Sequence, residues 1–288
     1  MKRALFVLAV CLSISSMCSA VVLLNDTFAD GSRIETNLPT ESGFWASSAG
    51  DVTTTAGNVR LGMAGASRRM HTYFTPEGSP VSLDVGQKLI ATIDFIPEEG
   101  FIDVTSRNFR FGLFYDPVQM AQDGVGDSGV GNGWYDATGY AVQFSLGGTA
   151  TAANARVGKR TGITGTYSLL GSDAAYTYGS NGGKANNLTL DTVYTLTMTL
   201  DYQTAGEMLV SFAFSQGATE IATASLLDNG LGGQPIYTDF DFLLFRLSKD
   251  EGTAKVINFQ SINVEYIPEP ATMVLLGLGG LLSIRRKR

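Results

Sequence analysis

The chain has 288 residues, within reach of one large all-β domain or two small ones. Hydrophobic residues make up 44% and charged residues 16%, enough apolar material for a sizeable core. The net charge is −7, and without Lys2, Arg3 and the four bases at the end of the chain the body 21–267 holds 14 basic residues against 26 acidic ones, a charge of −12. No basic stripe is visible along it, which argues against polyanion binding through phosphates and against nucleic acid as a partner.

The chain opens with MKRALFVLAVCLSISSMCSA. Lys2 and Arg3 form a positive start, residues 4–14 a short apolar run, and Cys18-Ser19-Ala20 places small residues at −3 and −1 of a cut after Ala20. This pattern predicts a secretory signal peptide over residues 1–20, a helix too short to span a membrane. Both cysteines, Cys11 and Cys18, lie within it. The exported body therefore has no thiol for a disulfide, a metal or nucleophilic catalysis.

Alternation with period two dominates the body, and no 20–50-residue repeat or sustained helical pattern interrupts it. Strands are predicted over 58–63, 70–74, 88–96, 109–115, 140–146, 155–159, 194–201, 208–214, 219–224, 240–247 and 255–266. In 109–115, Phe109, Phe111, Leu113 and Tyr115 share one face. In 140–146, Tyr140, Val142, Phe144 and Leu146 do so. The last strand changes phase between Phe259 and Ile262, which predicts a bulge. About a dozen half-buried antiparallel strands, with abundant Gly between them, predict an all-β sandwich or jelly roll over residues 21–267.

The stretch LLNDTFADGSR, followed by ESGFWASS, places Asp26, Phe28, Asp30, Gly31 and Trp45 around the end of a first strand. This resembles concanavalin A-like (laminin G-like) lectin and glucanase domains. The resemblance implies an antiparallel β-sandwich whose last strand returns beside the first, a sugar-binding role, and a calcium option at Asp26 with Asp30.

Chemistry-bearing residues are sparse. His71 is the single histidine and alternates within a strand, so neither a zinc set nor a Ser-His-acid triad is complete. Asp239 and Asp241 alternate on one strand without the further glutamate a glucanase pair requires, and no catalytic residues are assigned. The irregular loop DPVQMAQDGVGDSGVGNGWYDATGY carries Asp116, Asp123 and Asp127 between glycines. These are hard oxygen donors suited to Ca²⁺, with an acidic loop free of metal as the alternative. Arg110 and Gln143 alternate with core residues and face outward. With Trp134 and Tyr135 as aromatic surface they make a candidate polysaccharide groove, the alternative being a solvated face with stray aromatics. Tyr176 and Tyr178 are expected in another Gly/Ser-rich loop.

The chain closes with PEPATMVLLGLGGLLSIRRKR. Residues 271–284 form an apolar helix too short for a bilayer core of about 30 Å and weakened by glycines. Arg285, Arg286, Lys287 and Arg288 follow directly, which suits a transient membrane pause. Pro268-Glu269-Pro270, the Gly-interrupted apolar helix and the basic end resemble the PEP-CTERM sorting domain. That resemblance implies export, transient retention in the inner membrane, cleavage by an exosortase near residues 268–270, and association with extracellular polysaccharide in a biofilm matrix. The expectation is therefore a non-enzymatic envelope or matrix protein with a polysaccharide-binding sandwich. A ligand-free structural matrix protein and a polysaccharide hydrolase or lyase are the alternatives.

Overall fold

The computed structural model describes residues 19–63, 67–99, 107–125, 134, 136–146, 154–162, 168–171, 173–184, 188–248 and 255–269. The expected signal helix at 1–18, the apolar helix at 271–284, Tyr135, Asp127, Pro270 and the bases 285–288 lie outside the described residues. What is described is almost wholly antiparallel β-structure, seventeen strands with three short 3-10 turns.

Two large sheets pack face to face. The first contains β1 (Val21–Asp26), β3 (Val52–Thr55), β4 (Asn58–Met63), β7 (Lys88–Glu99), β12 (Tyr194–Thr204), β13 (Glu207–Gln216), β14 (Thr219–Asp228) and β17 (Lys255–Ile267). Its order is β14-β13-β12-β7-β17-β4-β3, with β1 also paired to β17. The second contains β2 (Phe44–Ala46), β5 (Arg68–Tyr73), β8 (Phe109–Tyr115), β9 (Thr138–Phe144), β10 (Arg156–Arg160), β11 (Tyr176–Tyr178) and β16 (Phe242–Leu247), in the order β11-β10-β9-β8-β16-β5-β2. A two-stranded ribbon, β6 (Val81–Ser82) with β15 (Asp239–Phe240), sits apart.

The period-two pattern explains the layering. Leu89, Ala91, Ile93 and Phe95 of β7 and Phe212 and Phe214 of β13 meet Phe109 and Phe111 of β8 and Phe144 of β9 in one continuous core. Phe95 stacks on Phe109 at 6.0 Å between centroids, and Phe144 lies 5.1 Å from Phe212. Such pairs add aromatic contact energy to the burial of apolar area. The expected return of the last strand is present, since β17 pairs with β1 from Val21↔Tyr266 to Asp26↔Ile262. So is the predicted bulge, as the β17–β7 register slips between Phe259 and Ser261.

One edge of the sandwich is closed by a glycine-rich strap. Gly182 N donates to Ala155 O and Gly183 N to Thr223 O, both at 2.8 Å, tying β10 to β14. A Cβ on Gly182 would run into the Thr223 carbonyl, so the strap needs glycine there. Inside this edge, Lys159 points into the core with no exposed side-chain area and meets the equally buried Asp228 at 2.8 Å. Lys159 Nζ also donates to Gln234 O (2.8 Å), and Tyr140 Oη donates to Asp228 Oδ2 (2.7 Å). Asp228 Oδ1 further accepts Gly230 N and Leu231 N. Breaking such a pair from one side leaves a buried charge without its partner. Lys159→Met is expected to destabilise the fold by about 3–5 kcal/mol, measured by urea denaturation. A loss under 1 kcal/mol would mean that the network contributes little.

Candidate functional site

Side chains on the outer face of the seven-stranded sheet fall into three rows that cross the strands. Arg246 of β16 sits opposite Arg69 of β5 on one side and Arg110 of β8 on the other. Arg110 pairs with Gln143 of β9, and Gln143 with Arg156 of β10. Four arginines and a glutamine thus line up on five adjacent strands. The next row is His71, Leu244, Gly112, Ala141 and Gly158, flanked by Trp45 and Tyr178. The third begins with Tyr73, Phe242 and Phe114.

Rows two and three are roofed by a second apolar cluster, in which Val125, Trp134, Leu169 and Leu170 cover Tyr73, Phe114, Phe242 and Leu244. Trp134 is 1% exposed and packs against His71 at 4.7 Å and Phe242 at 6.0 Å. The expectation that Trp134 offers an open face to a ligand is thereby corrected: its ring is buried against the sheet. Trp45, half-buried, instead lines a cleft of about 280 Å³ with Tyr73, Thr75 and Gln119. His71 is buried in the same cluster and donates from Nε2 to Met120 O (2.8 Å), and burial lowers its pKa to about 4.

Arg110 and Gln143 do come together on the outer face, but under cover rather than in open solvent: the Arg110 side chain is 13% exposed and Gln143 is fully buried. Arg156 Nη2 donates to Gln143 Oε1 at 2.8 Å, and Gln143 Nε2 donates to Tyr178 Oη. The Arg156 guanidinium lies 3.6 Å from the centre of the Tyr178 ring, a cation–π contact. Tyr178 and Tyr176 are not loop residues, as expected from their Gly/Ser-rich surroundings, but form the edge strand β11 on β10. A glycine makes this possible, because a Cβ on Gly158 would sit 2.6 Å from the Tyr178 ring.

A chain segment crosses the row. Arg246 Nη1 donates to Ser168 Oγ (3.2 Å) and Arg110 Nη1 to Leu170 O (2.9 Å). Asp173 then pairs with Arg110 at 3.3 Å and with Arg156 Nη2. Burial pushes the Asp173 carboxyl up, but Arg156, Arg110 and Gln143 outweigh it and hold the pKa below the usual range. Arg107, next to the row, has its pKa lowered by burial first and then by the neighbouring Arg156 charge. The row is therefore a crowded patch of positive potential, drawn from strands far apart in the chain. Charge read along the sequence does not reveal this row, because it is assembled by strand register.

The calcium expectations meet a different outcome. Asp26 accepts Phe28 N (2.7 Å) and Ser42 N (3.2 Å), capping the turn after β1, whereas Asp30 lies on the exposed turn itself. Asp123 is engaged by both terminal nitrogens of Arg33 and by Ala46 N. Asp116 is buried, with Tyr73 Oη donating to it and its own N donating to Asp241 Oδ1 at 3.0 Å. Asp116 and Asp123 thus serve separate internal contacts instead of one ligand set. Among the described residues no group of three His, Cys, Asp or Glu is arranged to hold a metal ion.

Residues 267–288 match the PEP-CTERM protein-sorting motif. The chain thus carries a C-terminal sorting signal of exported proteins, one that implies processing by an exosortase. No curated protein matches the chain. Among solved structures it is similar to lectin I from Ulex europaeus in complex with the methyl glycoside of alpha-L-fucose, at 10% identity and TM-score 0.49, covering 82% of this chain and 94% of the lectin. It is similar to winged bean acidic lectin complexed with methyl-alpha-D-galactose, at 11% identity and TM-score 0.48, covering 86% and 99%. It is also similar to alginate lyase Aly36B, at 10% identity and TM-score 0.44, covering 84% and 95%.

The buried acids beside the roof yield a pH prediction. Burial raises the Asp241 pKa to about 7 and the Asp116 pKa to about 6, each helped by the other's charge or by neighbouring acids. Folded pKa values above the unfolded one favour the protonated fold, so this stability is present below about pH 4 and lost as pH rises towards 7. His71 acts oppositely, its contribution falling as pH drops from about 6.5 to 4. Asp241→Asn keeps the acceptor for Asp116 N and removes one titration. It is expected to stabilise the protein at pH 8 by on the order of 3 kcal/mol and to lose that advantage at pH 4. Denaturation midpoints at the two pH values decide this, and an equal effect at both would contradict it.

Proposed function

We propose that the protein is an exported envelope or matrix protein whose seven-stranded sheet binds an anionic, carboxylated polysaccharide along the arginine row. The observation that carries this reading is the alignment of Arg69, Arg246, Arg110 and Arg156 on one face of an otherwise acidic body. Adjacent strands are about 4.8 Å apart, so the row extends about 19 Å across the sheet. A linear glycan running across the strands meets a planar guanidinium on four of five strands. The guanidinium fork matches a carboxylate, and Gln143 and Tyr178 add neutral hydrogen-bonding and stacking groups. The sorting motif supplies the setting, in which an exosortase releases the chain from transient membrane retention into a polysaccharide-rich matrix.

The reading is of a binding module. Asp173, the carboxylate in the row, is held ionised by two arginines, and His71 is buried and kept neutral, so neither is poised as a general acid or base.

The test is binding of alginate, polygalacturonate, dextran sulfate and neutral dextran by the purified chain, together with an assay for newly formed chain ends. Saturable, salt-sensitive binding to the carboxylated polymers is expected, without cleavage. Arg110→Gln and Arg156→Gln should each weaken it about tenfold or more. Binding to neutral dextran alone, or to none of the four, would overturn the reading, the latter in favour of a ligand-free structural protein. Release of chain ends would replace it with a polysaccharide-degrading enzyme.

A further inference from the structure

We infer that Asp173 is a built-in occupant of the arginine row, and that a carboxylated glycan binds by taking its place on Arg110 and Arg156. This rests on the glycan-binding reading of the row and adds a competitor to it. Asp173 sits where a ligand carboxylate would sit. It bridges Arg110 and Arg156, and Tyr178 Oη donates to its Oδ1 at 3.4 Å. Its approach is from the solvent side: the Asp173 side chain is 53% exposed, while the two guanidinium side chains beneath it are 13% and 15% exposed.

The local backbone lets the carboxylate leave without unfolding anything. Asp173 opens a three-residue 3-10 turn, and on either side Leu170 and Ala175 are fully buried in the roof cluster. Tyr176 Oη donates to Leu169 O and holds the roof down independently of Asp173. Rotation of one side chain therefore frees the edges of Arg110 and Arg156 that Asp173 bridges, while Leu170 O stays on Arg110 and the roof stays in place. An ion pair half in water is weak, so one carboxylate is a gentle competitor. A polymer that meets several guanidinium groups at once displaces it, because each further contact forms within an already bound chain. A single acidic sugar gains no such advantage. The resident carboxylate thus selects polymer over monomer and carboxylate over neutral glycan.

The experiment compares the full chain with Asp173→Asn and Asp173→Ala by isothermal titration, using a galacturonate oligomer and galacturonate monomer as probes. Thermal midpoints verify that each variant is folded. Removal of the competitor is expected to tighten oligomer binding about tenfold, equivalent to about 1.4 kcal/mol, in both variants, and to bring the monomer into the measurable range. Equal oligomer affinity in all three proteins would overturn the competitor role and leave the glycan-binding reading standing. Weaker binding by both variants would also overturn it, by making Asp173 a ligand contact. Absence of oligomer binding in all three would remove the reading itself and the inference with it.

Discussion

Guanidinium groups on neighbouring strands repel one another, and a sheet that lines up four of them must supply counter-groups. Like charges directly opposite across a strand pair are destabilising, and Arg246 faces Arg69 on one side and Arg110 on the other. Much of the surrounding structure follows from that constraint. Gln143 separates Arg110 from Arg156 in the register and accepts from the latter. Tyr178 places its ring face under Arg156. The segment that carries Ser168, Leu170 and Asp173 brings a hydroxyl, a carbonyl and a carboxylate to three of the arginines. The segment passes close to Arg246 at Gly171, where an added Cβ would displace the Ser168 hydroxyl and the guanidinium end from their present positions.

The same segment explains why the outer face is divided. Leu169 and Leu170 join Leu244, Phe242 and Phe114 in one cluster, and Trp134 completes the roof. The sheet is thus apolar on both faces over two rows and cationic on the third. The first face is closed by the main sandwich core, the second by loops. The row that cannot be buried without counter-charge keeps partial access to solvent.

Much of the scaffold was legible because it depends on local alternation. Phe109, Phe111 and Leu113 face inward as their spacing requires, Asn58–Met63 is a strand from end to end, and the phase change after Phe259 is a bulge. The site was legible only in part. Alternation places Arg110 and Gln143 on the outer face, but nothing local aligns them with Arg69, Arg156 and Arg246. That alignment is a matter of register between strands, and all but the Gln143–Arg156 pair join residues far apart in the chain, up to Arg69 with Arg246. Trp134 was misread for a related reason. It is buried against a sheet face far away in sequence, and a Gly-rich stretch has no periodicity to reveal which way its aromatic points. Tyr176 and Tyr178 became a strand because Gly158 on the neighbouring strand leaves room for a ring, a condition set some 20 residues away.

Composition misled in one further respect, and the reason bears on function. A body with 26 acidic and 14 basic residues carries no hint of an anion site when charges are summed along the chain. Yet the arginines of the row share one face, and several of the acids are spent elsewhere: Asp228 on Lys159, Asp123 on Arg33, and Asp116 and Asp241 within the fold. Net charge governs solubility and long-range encounter, whereas recognition is set by the local field of the surface that meets the ligand. On the proposed reading, an acidic body with one cationic row would repel polyanions over most of its surface and accept them along one line. Such a distribution favours a single oriented binding mode over diffuse adsorption, which is what a sorted protein would need to hold a charged matrix polymer in a defined position.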